Sequence, residues 1–410
     1  MNHECSSQAG GLICIAGKNN IAVDTLQYLL SVRKIPAERI VVICNRTETG
    51  RNTWQRSLRL FAKENGVREV SLAQLYEEKE LLFLSLEYDC IVKPQCFRSK
   101  WLYNIHFSLL PHYKGMYTSA MPILNNEKSS GVTFHEIDAG IDTGNIILQK
   151  EFVLNETDTA RDLYLNYIRY GTSLVKEAVD KLLDSPSRPE GKPQQAEYSS
   201  YYSRAALNYG QLRVDLNQTA RHIQNQIRAF HFREYQLPQV NGKKINRAVI
   251  TDIRSKNRPG RILWESDDRM RISAIDYDMV LYVDQFDRVL QMCRHGDLDG
   301  LMKIHGLETY VNQQGENGLS PLMAAVSRNQ YEIVQFLLTE GADIKVTDWD
   351  GRNLLMYAKD TYVQFHDTRL AEFFWEMGLD VEQTDYNGKN FIDYCKDEGL
   401  GTVGAISVFH

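Results

Sequence analysis

The sequence predicts an α/β protein in three parts: an open sheet covered by helices, a small mainly β module, and an all-α repeat array. Three observations lead there. Apolar runs without alternation, Leu12–Ala16, Ile40–Cys44 and Leu81–Leu86, are interleaved with helical periodicity, the pattern of strands buried on both faces of a parallel sheet. Residues 196–284 hold strand-like segments around one helical stretch. From Asn317 onward a nine-residue pattern recurs. A chain of 410 residues accommodates two or three domains, placed at 1–190, 191–286 and 287–410.

Composition narrows the class. Apolar residues make up 43% and charged residues 24%, so the chain is expected to fold as a soluble globular protein. The net charge of −6 argues against a large nucleic-acid footprint. The 7 cysteines are an odd number without C-x-x-C pairs, which fits a reduced, cytoplasmic setting. Residues 1–11 read as a polar, frayed start with no basic n-region, and no run is long enough to span a bilayer.

The elements follow in order. Leu12–Ala16 is the first buried strand and ends at Gly17-Lys18-Asn19-Asn20. A helix follows over Ile21–Val32, with Val23, Leu26 and Leu30 on its apolar face. The glycines match neither a dinucleotide nor a P-loop fingerprint, so Lys18 is either a phosphate contact or a solvated loop lysine. The second strand, Ile40–Cys44, runs into Asn45-Arg46-Thr47, and Trp54–Glu64 reads as a helix. Polar groups after a strand with an aromatic close by suit a nucleotide; the alternative is that Trp54 covers a helix–sheet seam. Leu81–Leu86 is a third buried strand, followed by Glu87-Tyr88-Asp89.

Residues 104–115 read Asn-Ile-His-Phe-Ser-Leu-Leu-Pro-His-Tyr-Lys-Gly. On a strand Asn104 and His106 project to the same face while Ile105 packs the other way. Pro111 and Gly115 bracket a tight loop. A strand end with two polar side chains and a rigid loop is where open α/β sheets place their sites. Residues 131–147 form two strand-like runs, Val132–Ile137 and Asn145–Gln149, around a glycine-rich turn with Asp138 and Asp142. No Cys/His cluster has metal-ligand spacing, so no metal is expected.

N-I-H-x-S-L-L-P-x-x-x-G followed by G-V-T-x-H-x-x-D-x-G-I-D-x-G resembles the folate-dependent formyltransferases, a family that includes methionyl-tRNA, glycinamide-ribotide and nucleotide-sugar enzymes. The resemblance covers roughly residues 12–255 and implies a Rossmann-like formyltransferase sheet with 10-formyltetrahydrofolate as co-substrate. It places a catalytic triad on Asn104, His106 and Asp142. Formyl transfer to an amine passes through a tetrahedral oxyanion. His106 suits the base, Asn104 offers an amide N–H to the oxyanion, and Asp142 orients the imidazole. The resemblance further implies folate contacts at Leu86, Glu87, Tyr88, Ile137, Asp138 and Asp142. The family's usual Y-G-x-I-I-P is replaced here by Glu-Tyr-Asp-Cys-Ile-Val-Lys-Pro, so main-chain contacts are expected to persist and side-chain contacts to differ.

The nucleotide-sugar members carry stretches similar to those around Asn45, Trp54 and Gln55, and a similar Arg-Ala-Phe…Tyr…Pro…Gly-Lys run in the small module. Here that run holds Phe230 and Tyr235, after a helix at Thr219–Ala229 and before a strand at Lys244–Thr251. Aromatics with arginine suit a thymine and a pyrophosphate; an ordinary hairpin core is the alternative. Lys18, Asn45, Trp54, Gln55, Lys114, Tyr117, Phe230 and Tyr235 are the expected substrate contacts. A long helix is expected at Thr157–Leu183 and a linker at 185–195.

Asn317–Ala325 recurs at Asp350–Ala358, 33 residues on, and at Asn387–Cys395, four residues later than that period. The pattern resembles ankyrin repeats, with Arg288–Val311 as a degenerate cap. Such arrays contact proteins; a second nucleotide-sugar site or a purely structural role are the alternatives. The resemblance is to nucleotide-sugar N-formyltransferases with an ankyrin extension, acting on a dTDP-linked 3-amino-3,6-dideoxysugar for O-antigen biosynthesis, with a 4-amino sugar as alternative. A non-catalytic interaction scaffold is the remote reading. Related enzymes are often dimers, so a homo-oligomer is expected, with no nucleic-acid or membrane partner.

Overall fold

The computed structural model describes residues 11–185 and 187–399. Apart from Gly11, the polar start expected at 1–11 therefore lies outside the described residues. The chain divides into two compact units, one of residues up to 51 with 55–283, the other of residues 52–54 with those from 284 onward.

The first unit is built on a seven-stranded sheet. In chain order its elements are β1 (Leu12–Gly17), α1 (Asn19–Ser31), β2 (Ile40–Cys44), α2 (Leu58–Glu64), β3 (Arg68–Glu69), β4 (Leu81–Leu86), β5 (Trp101–His106), β6 (Lys114–Gly115), α3 (Met121–Leu124), β7 (Ser129–Glu136), β8 (Ile146–Val153) and α4 (Ala160–Asp184). The strand order is β3-β2-β1-β4-β5-β7-β8. Strands β3 to β5 are parallel, whereas β7 and β8 form an antiparallel hairpin on the β5 edge. The buried runs of β1, β2 and β4 form the centre, as expected for strands covered on both faces. Helix α1 buries Ile21, Val23, Leu26 and Leu29, each side chain stabilising by about 1.5–3 kcal/mol.

The helix expected over Trp54–Glu64 starts later, at Leu58. The reason is local. Ser57 is extended and its hydroxyl accepts from Leu60 N, capping the helix, while Arg56 N donates to Asn20 Oδ1. Residues 55–57 are thus fixed by hydrogen bonds outside any helix.

The strand order reverses between β1 and β4, so a crevice opens at their carboxyl ends. A Cβ on Gly17 would lie 1.8 Å from the Leu86 carbonyl oxygen, so only glycine lets these two strand ends come together.

The rest of the first unit holds β9 (Tyr201–Tyr202), α5 (Ala220–Phe230) and the five-stranded antiparallel sheet of β10 (Gln239–Val240), β11 (Lys243–Arg254), β12 (Ile262–Glu265), β13 (Arg269–Ser273) and β14 (Tyr277–Val283). Ile223 and Ile227 of α5 pack on Ile245, Ile272 and Leu281. Strand β9 pairs with β6, tying 201–202 to 114–115.

The second unit holds α6 (Phe286–His295), α7 (Leu298–Leu301), α8 (Pro321–Val326), α9 (Tyr331–Thr339), α10 (Leu354–Phe365), α11 (Arg369–Glu376) and α12 (Phe391–Asp397). One core runs through them, from Phe286 past Leu322, Leu337 and Leu355 to Phe374 and Phe391. This is the stacking of repeats in which each buries its apolar face on its neighbours. Two of the turns are held by an aspartate: Asp348 accepts from the N–H groups of Asp350 and Arg352 and from the Tyr357 hydroxyl, and Asp385 does the same for Asn387, Lys389 and Tyr394.

Replacing Gly17 by alanine is expected to lower stability by about 1–3 kcal/mol, because the added methyl must displace the β4 main chain. A urea titration that left the first-unit transition unchanged would contradict that packing.

Candidate functional site

The site grows from the end of β5. The β5–β7 register sets Asn104 opposite His135 and His106 opposite Thr133. Asp142 comes from the loop between β7 and β8 and has φ +53°, a left-handed conformation uncommon outside glycine and asparagine. That loop is held from outside: Gln194 Nε2 donates to the backbone carbonyls of Asp142 at 2.9 Å and Gly144 at 2.8 Å. The carboxylate then faces back toward β5.

The hydrogen bonds determine the tautomers. His135 Nδ1 lies 2.7 Å from the Glu136 carbonyl, which can only accept, so Nδ1 carries the proton. His135 Nε2 is then an acceptor and takes the Asn104 amide N–H at 3.1 Å. This fixes which way the Asn104 amide points; its Nδ2 is also 3.5 Å from Asp142 Oδ1. In the same way His106 Nε2 donates to the Tyr113 carbonyl at 2.8 Å, leaving Nδ1 bare in the neutral ring. Nδ1 stands 3.5 Å from Asp142 Oδ2, where it can take a proton and hand it to a waiting acceptor. Asp142 Oδ2 also accepts the Gly115 N–H at 2.9 Å.

Burial dominates the titration of His106 and pushes it below the ordinary histidine value, although Asp142 pulls the other way. Its neutral form, with a bare Nδ1, is thereby favoured. Burial alone would raise Asp142, but the charge His106 carries once protonated, the neighbouring His135 side chain and the Gly115 N–H hold its carboxyl well below the usual range.

Two cavities meet at this network. The larger, about 530 Å³, is walled by Tyr88, Val92, Ile137 and Asp138, with Tyr201 and Arg204 on the far side. The smaller, about 260 Å³, is walled by Glu87, His106, Phe107 and Thr118. Tyr88, Asn104, Gly115 and Asp142 stand in both walls.

The other expected contacts are distributed around this junction. Ile137 and Asp138 line the larger cavity, and Asp138 accepts from Gly140 N and the Thr143 hydroxyl. Leu86 is buried in β4. Glu87, expected beside folate, lines the smaller cavity, with φ +59°. Asn45 is buried and engages the same loop with both amide atoms: Nδ2 donates to the Glu87 carbonyl and Oδ1 accepts from Asp89 N. Gln55 is buried and accepts from Asn20 N. Lys18 acts electrostatically on Glu87, and Lys114, buried in β6, on His106. The Tyr117 hydroxyl donates to the carbonyls of Arg204 and Leu207. Phe230 is buried at the end of α5. Tyr235 is exposed and packs on Phe232, which packs on Tyr164 beside Phe107. Trp54 is counted with the second unit.

The sequence reading left out His135, Gln194, Asn19 and Tyr164. His135 lies inside the quoted G-V-T-x-H motif, and strand alternation puts it on the face of Thr133, but only the β5–β7 register sets it opposite Asn104. Gln194 and Tyr164 come from distant segments with no local pattern.

Residues 89–179 match the family described as formyl transferase, and residues 289–390 match ankyrin repeats in three copies. The N-formyltransferase from Helicobacter canadensis, solved with folinic acid and dTDP-3-aminofucose, is 43% identical, with a TM-score of 0.62, over 67% of this chain and 100% of its own. WlaRD, a sugar 3N-formyl transferase solved in the presence of dTDP and 5-N-formyl-THF, is also 43% identical, with a TM-score of 0.62, over 67% of this chain and 97% of its own. The methionyl-tRNA formyltransferase of Clostridioides difficile is 30% identical over 175 residues, 42% of this chain and 55% of that protein. This chain thus spans about half the length of the curated relatives it matches. It belongs to the formyltransferase family.

Because the Asp142 carboxyl is depressed in the folded state, its contribution to stability is complete above the ordinary aspartate value and is lost as pH falls through the lower folded value. Asp142→Asn is expected to flatten the loss of stability below about pH 4 in urea titrations. Parallel acid limbs for the two proteins would contradict the network.

Proposed function

We propose that this protein transfers the formyl group of 10-formyltetrahydrofolate to the amino group of a dTDP-linked amino-dideoxysugar, with dTDP-3-amino-3,6-dideoxyglucose the favoured substrate and O-antigen biosynthesis its setting. The observation that carries this reading is the junction of two cavities at Asn104, Gly115 and Asp142, beside His106. Two reactants, one in each cavity, can meet where a base and an N–H donor already stand. The larger cavity, with apolar walls at Val92 and Ile137 and polar groups at its edge, suits a folate head group. The smaller suits a hexose. The two 43%-identical relatives, solved with folate compounds and dTDP or a dTDP-3-amino sugar, support the assignment. The net charge of −6 speaks against a tRNA substrate.

The steps follow from the residues. The neutral amine attacks the formyl carbon, forming the C–N bond. The oxyanion takes the Asn104 N–H that faces Asp142 Oδ1 at 3.5 Å, while His135 holds the other N–H and with it the amide's orientation. His106 Nδ1 accepts the proton lost by nitrogen, and the imidazolium is stabilised between Asp142 Oδ2 and the Tyr113 carbonyl. Collapse breaks the bond to folate N10, which takes that proton. No step needs a metal. Among the described residues no helix is long and apolar enough to cross a membrane. The repeat unit is proposed as a contact surface for another protein.

The test is an assay of purified protein with 10-formyltetrahydrofolate and either dTDP-3-amino- or dTDP-4-amino-dideoxyglucose, following formylated product by mass. Turnover of the 3-amino sugar is expected; turnover of the 4-amino sugar alone would redirect the specificity, and turnover of neither would overturn the reading. His106→Asn is expected to lower kcat by roughly 10²–10⁴-fold with sugar affinity largely intact. With burial holding His106 below the ordinary histidine value, kcat/KM is expected to persist below that value before falling on the acid side. Gln194→Ala, which releases the Asp142 loop, is expected to lower kcat more than it raises KM.

A further inference from the structure

The smaller cavity contains a carboxylate that the reaction as written does not use. Glu87 follows β4 at the crevice where the strand order reverses, with φ +59°. Its carboxylate accepts from Asn19 Nδ2 at 3.1 Å and from the Tyr164 hydroxyl at 2.9 Å, and that hydroxyl itself accepts from Asn19. Its backbone carbonyl is held by Asn45. The residue is therefore positioned by three separate segments: the start of α1 and the first turns of α4 hold its side chain, and Asn45, just after β2, its main chain. The same cavity is walled by Asn104, His106 and Asp142. Asp142 is committed to Gly115, Asn104 and His106, whereas the Glu87 carboxylate keeps acceptor capacity beyond its bonds from Asn19 and Tyr164.

The chemistry at the junction lacks one component. An alkylamine arrives at neutral pH as the ammonium ion, with no lone pair. Formylation releases two protons from nitrogen, and His106 accounts for one.

We propose that Glu87 receives the substrate ammonium in the smaller cavity and takes its first proton, delivering a neutral amine to the formyl carbon. The proposal rests on the amino-sugar reading above. Its proton balance closes. R–NH₃⁺ gives one proton to the Glu87 carboxylate, and the R–NH₂ formed attacks the formyl group. The second proton passes through His106 to folate N10 as that bond breaks, and the Glu87 proton leaves to solvent after product release. The net change is ammonium plus formylfolate to formamide, tetrahydrofolate and one proton. The surroundings suit a proton acceptor. Burial raises the Glu87 carboxyl above the ordinary glutamate value, while Lys18 and the bonds from Asn19 and Tyr164 pull the other way, so its basicity is tuned upward. The groups bearing on it are Lys18 and Asn19 at the start of α1, Tyr164 on α4 with Tyr235 beyond it, and His106 and Asp142 across the cavity.

The experiment compares wild type, Glu87→Gln and Glu87→Asp between pH 6.5 and pH 9.5 with dTDP-3-amino-3,6-dideoxyglucose. Glu87→Gln is expected to lower kcat/KM by on the order of 10²-fold at neutral pH, the deficit closing as the pH rises and the amine loses its proton unaided. Glu87→Asp, which keeps a carboxylate, is expected to retain more of the neutral-pH activity. A deficit of equal size at every pH, or none at pH 7, would overturn the proposal. A second measurement does not depend on turnover. By calorimetry, Glu87→Gln is expected to bind the amino sugar nucleotide about tenfold more weakly than wild type and its 3-hydroxy counterpart equally well. Equal weakening of both would reduce Glu87 to a structural residue. If the wild type formylates no amino sugar, the functional reading fails first; if it does and Glu87→Gln matches it, only this inference fails.

Discussion

The carboxylate of Asp142 is the point on which the site depends. It is presented by a loop residue with positive φ, and Gln194 secures that loop through two main-chain carbonyls. One oxygen takes the Gly115 N–H and faces His106, and the other faces Asn104 and His135. Groups from β5, β6 and β7 thus converge on one charge. A largely buried carboxylate is tolerated only when its lone pairs are satisfied, and here the N–H groups of Gly115 and Asn104 do so.

The tautomers follow from the same economy of donors. Each histidine gives one ring N–H to a main-chain carbonyl, His106 to Tyr113 and His135 to Glu136. Each is left with one bare nitrogen in its neutral form. For His135 that nitrogen orients the Asn104 amide; for His106 it faces Asp142 and can accept a proton. The same residue type thus has two roles, separated by which nitrogen the backbone occupies.

Around this centre the sheet supplies position and the crevice supplies space. The reversal of strand order between β1 and β4 opens the site, and Gly17 lets the two strand ends approach closely enough to bring Lys18, Asn19 and Glu87 together. The repeat unit obeys a different logic. Its core is a line of neighbours, and its turns are stabilised locally by Asp348 and Asp385.

Much of this was legible in the sequence. The uninterrupted apolar runs marked β1, β2 and β4, because strands buried on both faces need no alternation. The 33-residue recurrence marked the repeats, because each unit must present the same face to the next. Asn104 and His106 were placed on one strand face by spacing alone, and Asp142 was drawn in by motif. Three things required the tertiary structure. The late start of α2 depends on a bond between Arg56 and Asn20, far apart in sequence. The pairing of Asn104 with His135 depends on the register of two strands, and a shift of one residue would send every side chain to the other face. The place of Glu87 in the wall of the smaller cavity, held by Asn19 and Tyr164, depends on segments far apart in sequence. Residue type and spacing determine what a segment can form. Which distant segment satisfies a buried charge is decided only when the chain closes on itself.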